Sequence, residues 1–201
     1  MNAVGSDALN GDIRTILPTL TAKYGVVIAD PPWLYRCADT NGTADKEYDL
    51  LDDQAIYNLP VSDVALPDSV LLLWTTWPKL TEGMQTMEAW GFEYVTGLPW
   101  VKMRGKSFSY GVGHWVRGCS EPILIGRRGN VSPPRQEGFL GILSPNLGHS
   151  RKPESLHQIA EALPGPYLEL FARRRRAGWT CIGNELDKQP LQLTLEGPTD
   201  E

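Results

Sequence analysis

The residues best suited to chemistry stand four in a row, Asp30-Pro31-Pro32-Trp33, directly after the apolar run Val26-Val27-Ile28-Ala29. The prolines fix two φ angles and remove two N–H donors. The residue before a proline is pushed towards extended geometry. The pattern predicts a stiff spur at the carboxyl end of a short buried strand. It carries one carboxylate, carbonyls outside any ladder and a flat indole face. Such a spur can stack a planar base and accept hydrogen bonds from an exocyclic amine.

A second group of polar residues lies at the far end of the chain. It runs His149-Ser150-Arg151-Lys152-Pro153-Glu154, then Tyr167-Leu168-Glu169-Leu170-Phe171-Ala172-Arg173, then Gly178-Trp179 and Gly183-Asn184-Glu185. Taken in this order with the spur, these segments resemble the Asp-Pro-Pro-Trp N(6)-adenosine methyltransferase family (MT-A70-like). That family includes the catalytic subunit of the eukaryotic mRNA enzyme and its bacterial and phage relatives. The resemblance covers most of residues 12–186.

It implies S-adenosyl-L-methionine as cofactor, and Asp30, Pro31, Pro32 and Trp33 as the catalytic spur, with Trp33 stacking on the target base. It implies that Lys152 meets the methionine carboxylate, and that Asp30 and Ser150 also belong to the cofactor-binding residues. Arg173, Asn184 and Glu185 would address the ribose and nearby polar atoms. Asp12-Ile13, eighteen positions before Asp30, would meet the cofactor's adenine. There are two departures. No Gly-x-Gly-x-x-Gly turn is present, so a dinucleotide reading fails. Position 172 is Ala, as is common in bacterial and phage relatives, where eukaryotic ones have Gly.

Basic and aromatic residues interleave in Lys102, Arg104, Lys106, Phe108, Tyr110, His114, Trp115 and Arg117, a mixture suited to phosphates and stacked bases. Gly113-His114-Trp115 resembles a family segment, and Tyr48 resembles a family tyrosine on the substrate side. Leu168, Leu170 and Phe171 read as core. Glu169 fits either an ion pair at the core edge or a cofactor contact. The run Arg173–Arg176 fits either a solvated cluster or a nucleic-acid patch.

Short apolar strands must position these residues. Strands are expected over 26–29, 69–74, 92–101, 122–126, 167–172 and 179–182, and helices over 51–59, 80–90 and 153–163. Residues 1–20 read as irregular, with a short element near Asp12. Residues 34–50, 102–118 and 127–150 read as loops, and 34–50 and 127–150 have the length of functional ones. Strands alternating with helices predict α/β: a Rossmann-like class I methyltransferase fold by resemblance, with a mostly parallel sheet and helices on both faces. One domain is expected over 1–201, with 1–11 and 187–201 flexible.

Composition narrows the function classes. No apolar stretch is long enough for a membrane span. The start, MNAVGSDALNGD, does not read as a signal peptide, so a cytoplasmic location is expected. Three distant cysteines and three scattered histidines give no metal-ligand spacing, so no metal is expected. The net charge is −5, but residues 1–100 carry −9 and residues 101–201 carry +4, which suits one basic face. The expected partner is nucleic acid, DNA before RNA, with low specificity or with a second copy or partner subunit reading the target. A non-catalytic binding paralogue is the competing class, and the intact spur counts against it.

Overall fold

The computed structural model describes residues 7–35, 51–111, 115–133, 141–145 and 152–186. Tyr48, His114 and Ser150 lie outside the described residues, as do most of the expected loops 34–50 and 127–150. Among the described residues, nine strands form one mixed sheet. They are β1 (Ala8–Asn10), β2 (Tyr24–Ala29), β3 (Ala65–Trp74), β4 (Glu93–Arg104), β5 (Ser107–Phe108), β6 (Ser120–Arg128), β7 (Ile142–Pro145), β8 (Tyr167–Leu170) and β9 (Trp179–Gly183). The order is β1-β9-β8-β2-β3-β6-β4-β5, with β7 on β4. The five strands from β1 to β3 are parallel, and β6 runs antiparallel to both β3 and β4.

Val26–Ala29 of β2 and Val70–Trp74 of β3 are apolar at every position because both faces are covered. Val27, Ala29, Leu71, Leu73, Leu168 and Leu170 pack on one face. Val26, Ile28, Val70, Leu72 and Trp74 pack on the other. The first face is covered by α1 (Ile13–Ile16), α2 (Asp53–Tyr57), α3 (Val61–Val64) and α4 (Leu80–Ala89). The second is covered by α5 (Ser155–Glu161), through Leu156, Ile159 and Ala160. Asp52 caps α2 by accepting from the Ala55 N–H at 2.7 Å. Gly91, at φ +79°, ends α4 in the left-handed conformation that glycine adopts without cost.

Four expectations need correction. Residues 8–10 are an edge strand rather than irregular, because the Cys181 N–H donates to the Asp7 carbonyl at the head of a parallel ladder with β9. Residues 102–108 are a β4–β5 hairpin rather than a loop, since Met103 pairs with Phe108. β7 falls inside the expected loop 127–150 and borrows its ladder from β4. The strand expected to reach Ala172 stops at Leu170, because Phe171 takes a left-handed φ of +62°.

Candidate active site

The chain passes from β2 to β3 on one side and later returns to β8 on the other. That reversal opens a crevice outside the carboxyl ends of β2 and β8, where open α/β sheets bind ligands. A cavity lies there, lined by Asp30 from the spur, Trp74 from the end of β3, Lys152, Glu154 and His157 at the start of α5, Glu169 from β8, Phe171 just after it, and Arg173–Arg176. Two segments about 120 residues apart in sequence therefore face one space.

Its electrostatic centre is a chain of alternating charges. Lys152 Nζ lies 3.0 Å from Asp30 Oδ1 and 3.2 Å from Glu121 Oε2. The other Glu121 oxygen accepts from Lys102 Nζ at 2.5 Å. Each ammonium also sits over an indole: Lys152 is 4.9 Å from the Trp74 ring and Lys102 is 4.8 Å from the Trp100 ring. The rings themselves meet edge to face at 5.5 Å. Burial by itself would push Glu121 up, but Lys152 and Lys102 outweigh it and hold its carboxyl below the usual range. Burial would likewise pull Lys152 down, but Asp30 and Glu121 hold its ammonium above its ordinary value. Glu121 and Lys152 thus both favour the charged state.

The spur is rigid for the expected reason, but its groups are used differently. Asp30 is half-buried at the cavity wall. The Pro31 carbonyl accepts from the Trp33 N–H at 2.9 Å, and the Pro32 carbonyl accepts from the Leu51 N–H at 3.3 Å. Trp33 does not offer a stacking face. It is 5% exposed, packs in the core beneath the first sheet face, and donates its indole N–H to the Trp74 carbonyl at 3.3 Å. A bulky apolar ring after two prolines has a core pocket within reach, and burial wins.

The remaining expected residues fall into three places. Arg173 lines the cavity with Asp30 and Lys152. Asp12, Ile13, Asn184 and Glu185 lie off that wall, grouped where β1 and β9 end, because Asn10 pairs with Gly183. Ile13 is buried and packs in the core. Asp12 caps α1 through the Arg14 N–H and grips the Arg14 guanidinium, which lowers its carboxyl below the ordinary value. Lys102 points to Glu121 rather than outward, whereas Arg104 and Trp115 are exposed, Trp115 at 97%.

Gly183 fixes how the cavity's far wall is built. A Cβ there would lie 1.9 Å from the Ala172 carbonyl oxygen. The Ala172 N–H also donates to the Ile182 carbonyl at 2.8 Å. With the left-handed Phe171, this close approach folds Arg173–Arg176 over the strand ends.

The family model described as MT-A70 matches residues 24–185. The chain belongs to the MT-A70 family. It is 32% identical to an Arabidopsis thaliana protein named N(6)-adenosine-methyltransferase MT-A70-like, over 94% of this chain and 27% of that protein. It is 31% identical to the Homo sapiens N(6)-adenosine-methyltransferase catalytic subunit METTL3, over 88% of this chain and 30% of METTL3. It is 28% identical to the type II methyltransferase M.MunI of a Mycoplasma species, over 89% of this chain and 84% of M.MunI. The chain thus spans less than a third of the length of the plant and human relatives.

Within this MT-A70 domain, Glu121 is a residue beside the site that sequence reading missed. Its signal was present: Glu121 precedes Pro122 at the start of an apolar strand, much as Asp30 precedes Pro31 at the end of one. Glu154 and His157 were missed as well. His157 Nε2 lies 2.9 Å from Glu169 Oε2, while its buried Nδ1 has no hydrogen-bond partner.

Proposed function

We propose that this chain is an S-adenosyl-L-methionine-dependent adenine-N(6) methyltransferase acting on nucleic acid, DNA in the first reading. The observation that carries it is the cavity shared by Asp30, Lys152 and Arg173. Its donor set fits the cofactor. Lys152 supplies a cation for a carboxylate, and Asp30 and Glu169 supply anions for an ammonium and a sulfonium. When bound, the cofactor supplies an electrophilic methyl group on sulfur.

The chain's own groups do the rest. Adenine's exocyclic amine is a poor nucleophile because its lone pair is delocalised into the ring. Asp30 accepts a hydrogen bond from that amine and draws the lone pair out of conjugation. The positive charge that develops on nitrogen then sits beside a preorganised carboxylate. The Pro31 carbonyl has a second lone pair for the other amine hydrogen. Lys152, held by Asp30 and Glu121, fixes the carboxylate's orientation before the substrate arrives. The base must be unpaired or flipped to reach the crevice. Trp115, Phe108 and Tyr110, exposed around the β4–β5 hairpin, offer the stacking faces that Trp33 does not.

The DNA reading follows M.MunI, the relative that this chain covers over most of its length, and the Leu-Phe-Ala-Arg sequence at 170–173. RNA is the second reading, favoured by the relatives named N(6)-adenosine-methyltransferases. The test incubates the protein and cofactor with single-stranded DNA, duplex DNA and RNA, then digests each for nucleoside mass spectrometry. N(6)-methyladenine from DNA is the expected product. N(6)-methyladenosine from RNA alone would move the chain to the second reading.

A further inference from the structure

The carboxylates that line the cavity are held in different ways. Asp30 pairs with the ammonium of Lys152, and Glu154 pairs with the guanidinium of Arg176. Glu169 pairs with an imidazole instead, its Oε2 lying 2.9 Å from His157 Nε2. A lysine or arginine brings a positive charge at any ordinary pH. A histidine brings one only when both ring nitrogens are protonated. The state of one ring therefore decides whether Glu169 offers the cavity a full negative charge.

The fold fixes how the two residues meet. Leu168 and Leu170 of β8 pack on the first sheet face, so Glu169 between them stands on the second, the face that α5 covers. His157 lies near the start of α5 and is 9% exposed. Its ring meets the Trp179 indole of β9 edge to face, with centroids 5.1 Å apart.

The second ring nitrogen decides the state. Nδ1 is buried and has no hydrogen-bond partner among the described residues. A proton there would be a buried N–H without an acceptor, at the full desolvation cost of that group. The imidazolium and the Nδ1–H tautomer both carry that proton. The Nδ1–H tautomer also turns the Nε2 lone pair towards a carboxylate oxygen. The neutral Nε2–H ring instead donates to Glu169 and leaves only an unused lone pair inside.

We infer that His157 is a positioning residue for cofactor binding: a neutral imidazole that donates through Nε2 to Glu169, fixes the orientation of that carboxylate and leaves its charge for the ligand. This rests on the proposed function for the identity of the ligand, and goes beyond it in assigning the group that holds Glu169. S-adenosylmethionine carries a sulfonium, an ammonium and one carboxylate, so it is net positive. An anion held by a neutral donor attracts it more strongly than one already paired with a cation.

NMR reads the tautomer directly. Long-range proton–nitrogen correlations are recorded on the isotope-labelled full chain, with the His157 signals assigned by their loss in His157→Gln. The Nε2–H pattern is expected at neutral pH, and an Nδ1–H or imidazolium pattern would overturn the assignment. Calorimetric affinity for S-adenosylmethionine is then compared among the parent, His157→Leu, His157→Gln and Ile159→Val. His157→Leu removes the donor and should bind about ten-fold more weakly, as loss of one hydrogen bond to a charged group predicts. His157→Gln returns an N–H donor to the same helix position and should recover most of that loss. Ile159→Val trims an apolar core residue of the same helix and should bind like the parent. Parent-like binding by His157→Leu, no recovery in His157→Gln, or an equal loss in Ile159→Val would overturn the role of His157. Methyl transfer by a parent whose variants all bind alike would sink that role alone. His157-dependent cofactor binding in a protein that transfers no methyl would sink the proposed reaction alone. A parent with no affinity for the cofactor would sink both.

Discussion

Glu121 shows what single residues contribute to this site. It pairs with Lys152 and Lys102 at once, and so links the spur of β2 to β4 across β3 and β6. Its carboxyl is held below the ordinary 4.5, so the folded state prefers it ionised. A group depressed on folding contributes stability above its unfolded value, and loses it as pH falls through the folded one. The melting temperatures of the parent and Glu121→Gln should therefore differ by a constant amount at neutral pH. The gap should narrow progressively below about pH 4.5; a gap that widened in acid would show the carboxyl to be destabilising. Trp33 and Trp115 make a second contrast at this scale. Trp33 is buried and Trp115 is 97% exposed. Trp33→Ala should cost about 3–5 kcal/mol of stability, read by denaturant unfolding. Trp115→Ala should leave stability unchanged and weaken oligonucleotide binding by about 1–3 kcal/mol.

At the scale of elements, the junction of β8 and β9 carries the site. Ala172 passes so close to Gly183 that an added methyl has nowhere to go. Gly183→Ala should cost about 1–3 kcal/mol, lowering the melting temperature by roughly 2–12 °C. It should also weaken cofactor binding, since Ala172 leads into Arg173. Normal stability with normal cofactor affinity would mean that the turn does not shape the cavity. Much of this level was legible in the sequence. Apolar runs such as Val26–Ala29 and Ser69–Trp74 announce strands covered on both faces, and the helix ending at Gly91 announces its own stop. What escaped had no local signal. Ala8–Asn10 is a strand only because β9 offers an edge, and Lys102–Arg104 is extended only because β5 and β7 pair with it. The left-handed turn at Phe171 is invisible because φ +62° is rare for any residue with a side chain.

For the whole molecule, the strand order explains why distant motifs work as one. The spur follows β2, the arginine turn follows β8, and Glu121 opens β6. Antiparallel pairing brings the start of β6 to the same edge as the end of β3, where Trp74 pairs with Ile123. The sequence named Asp30, Lys152 and Arg173 through resemblance, but not the charge chain that joins Asp30 to Lys152. Because of that chain, the roles of Asp30 and Lys152 are not independent. Asp30→Ala would leave Lys152 tied to Glu121 alone and would alter cofactor binding as well as chemistry. Asp30→Asn preserves shape and keeps an oxygen for Lys152 while removing the charge, and saturation with cofactor then isolates the chemical step.

Single-turnover methyl transfer, with parent and Asp30→Asn both saturated with S-adenosylmethionine and an adenine-containing single strand, therefore tests the account most directly. Loss of one preorganised group facing developing charge costs about 100- to 1,000-fold, and a rate reduced by that factor is expected. An Asp30→Asn variant turning over within a few-fold of the parent would contradict the assignment of Asp30 to the amine.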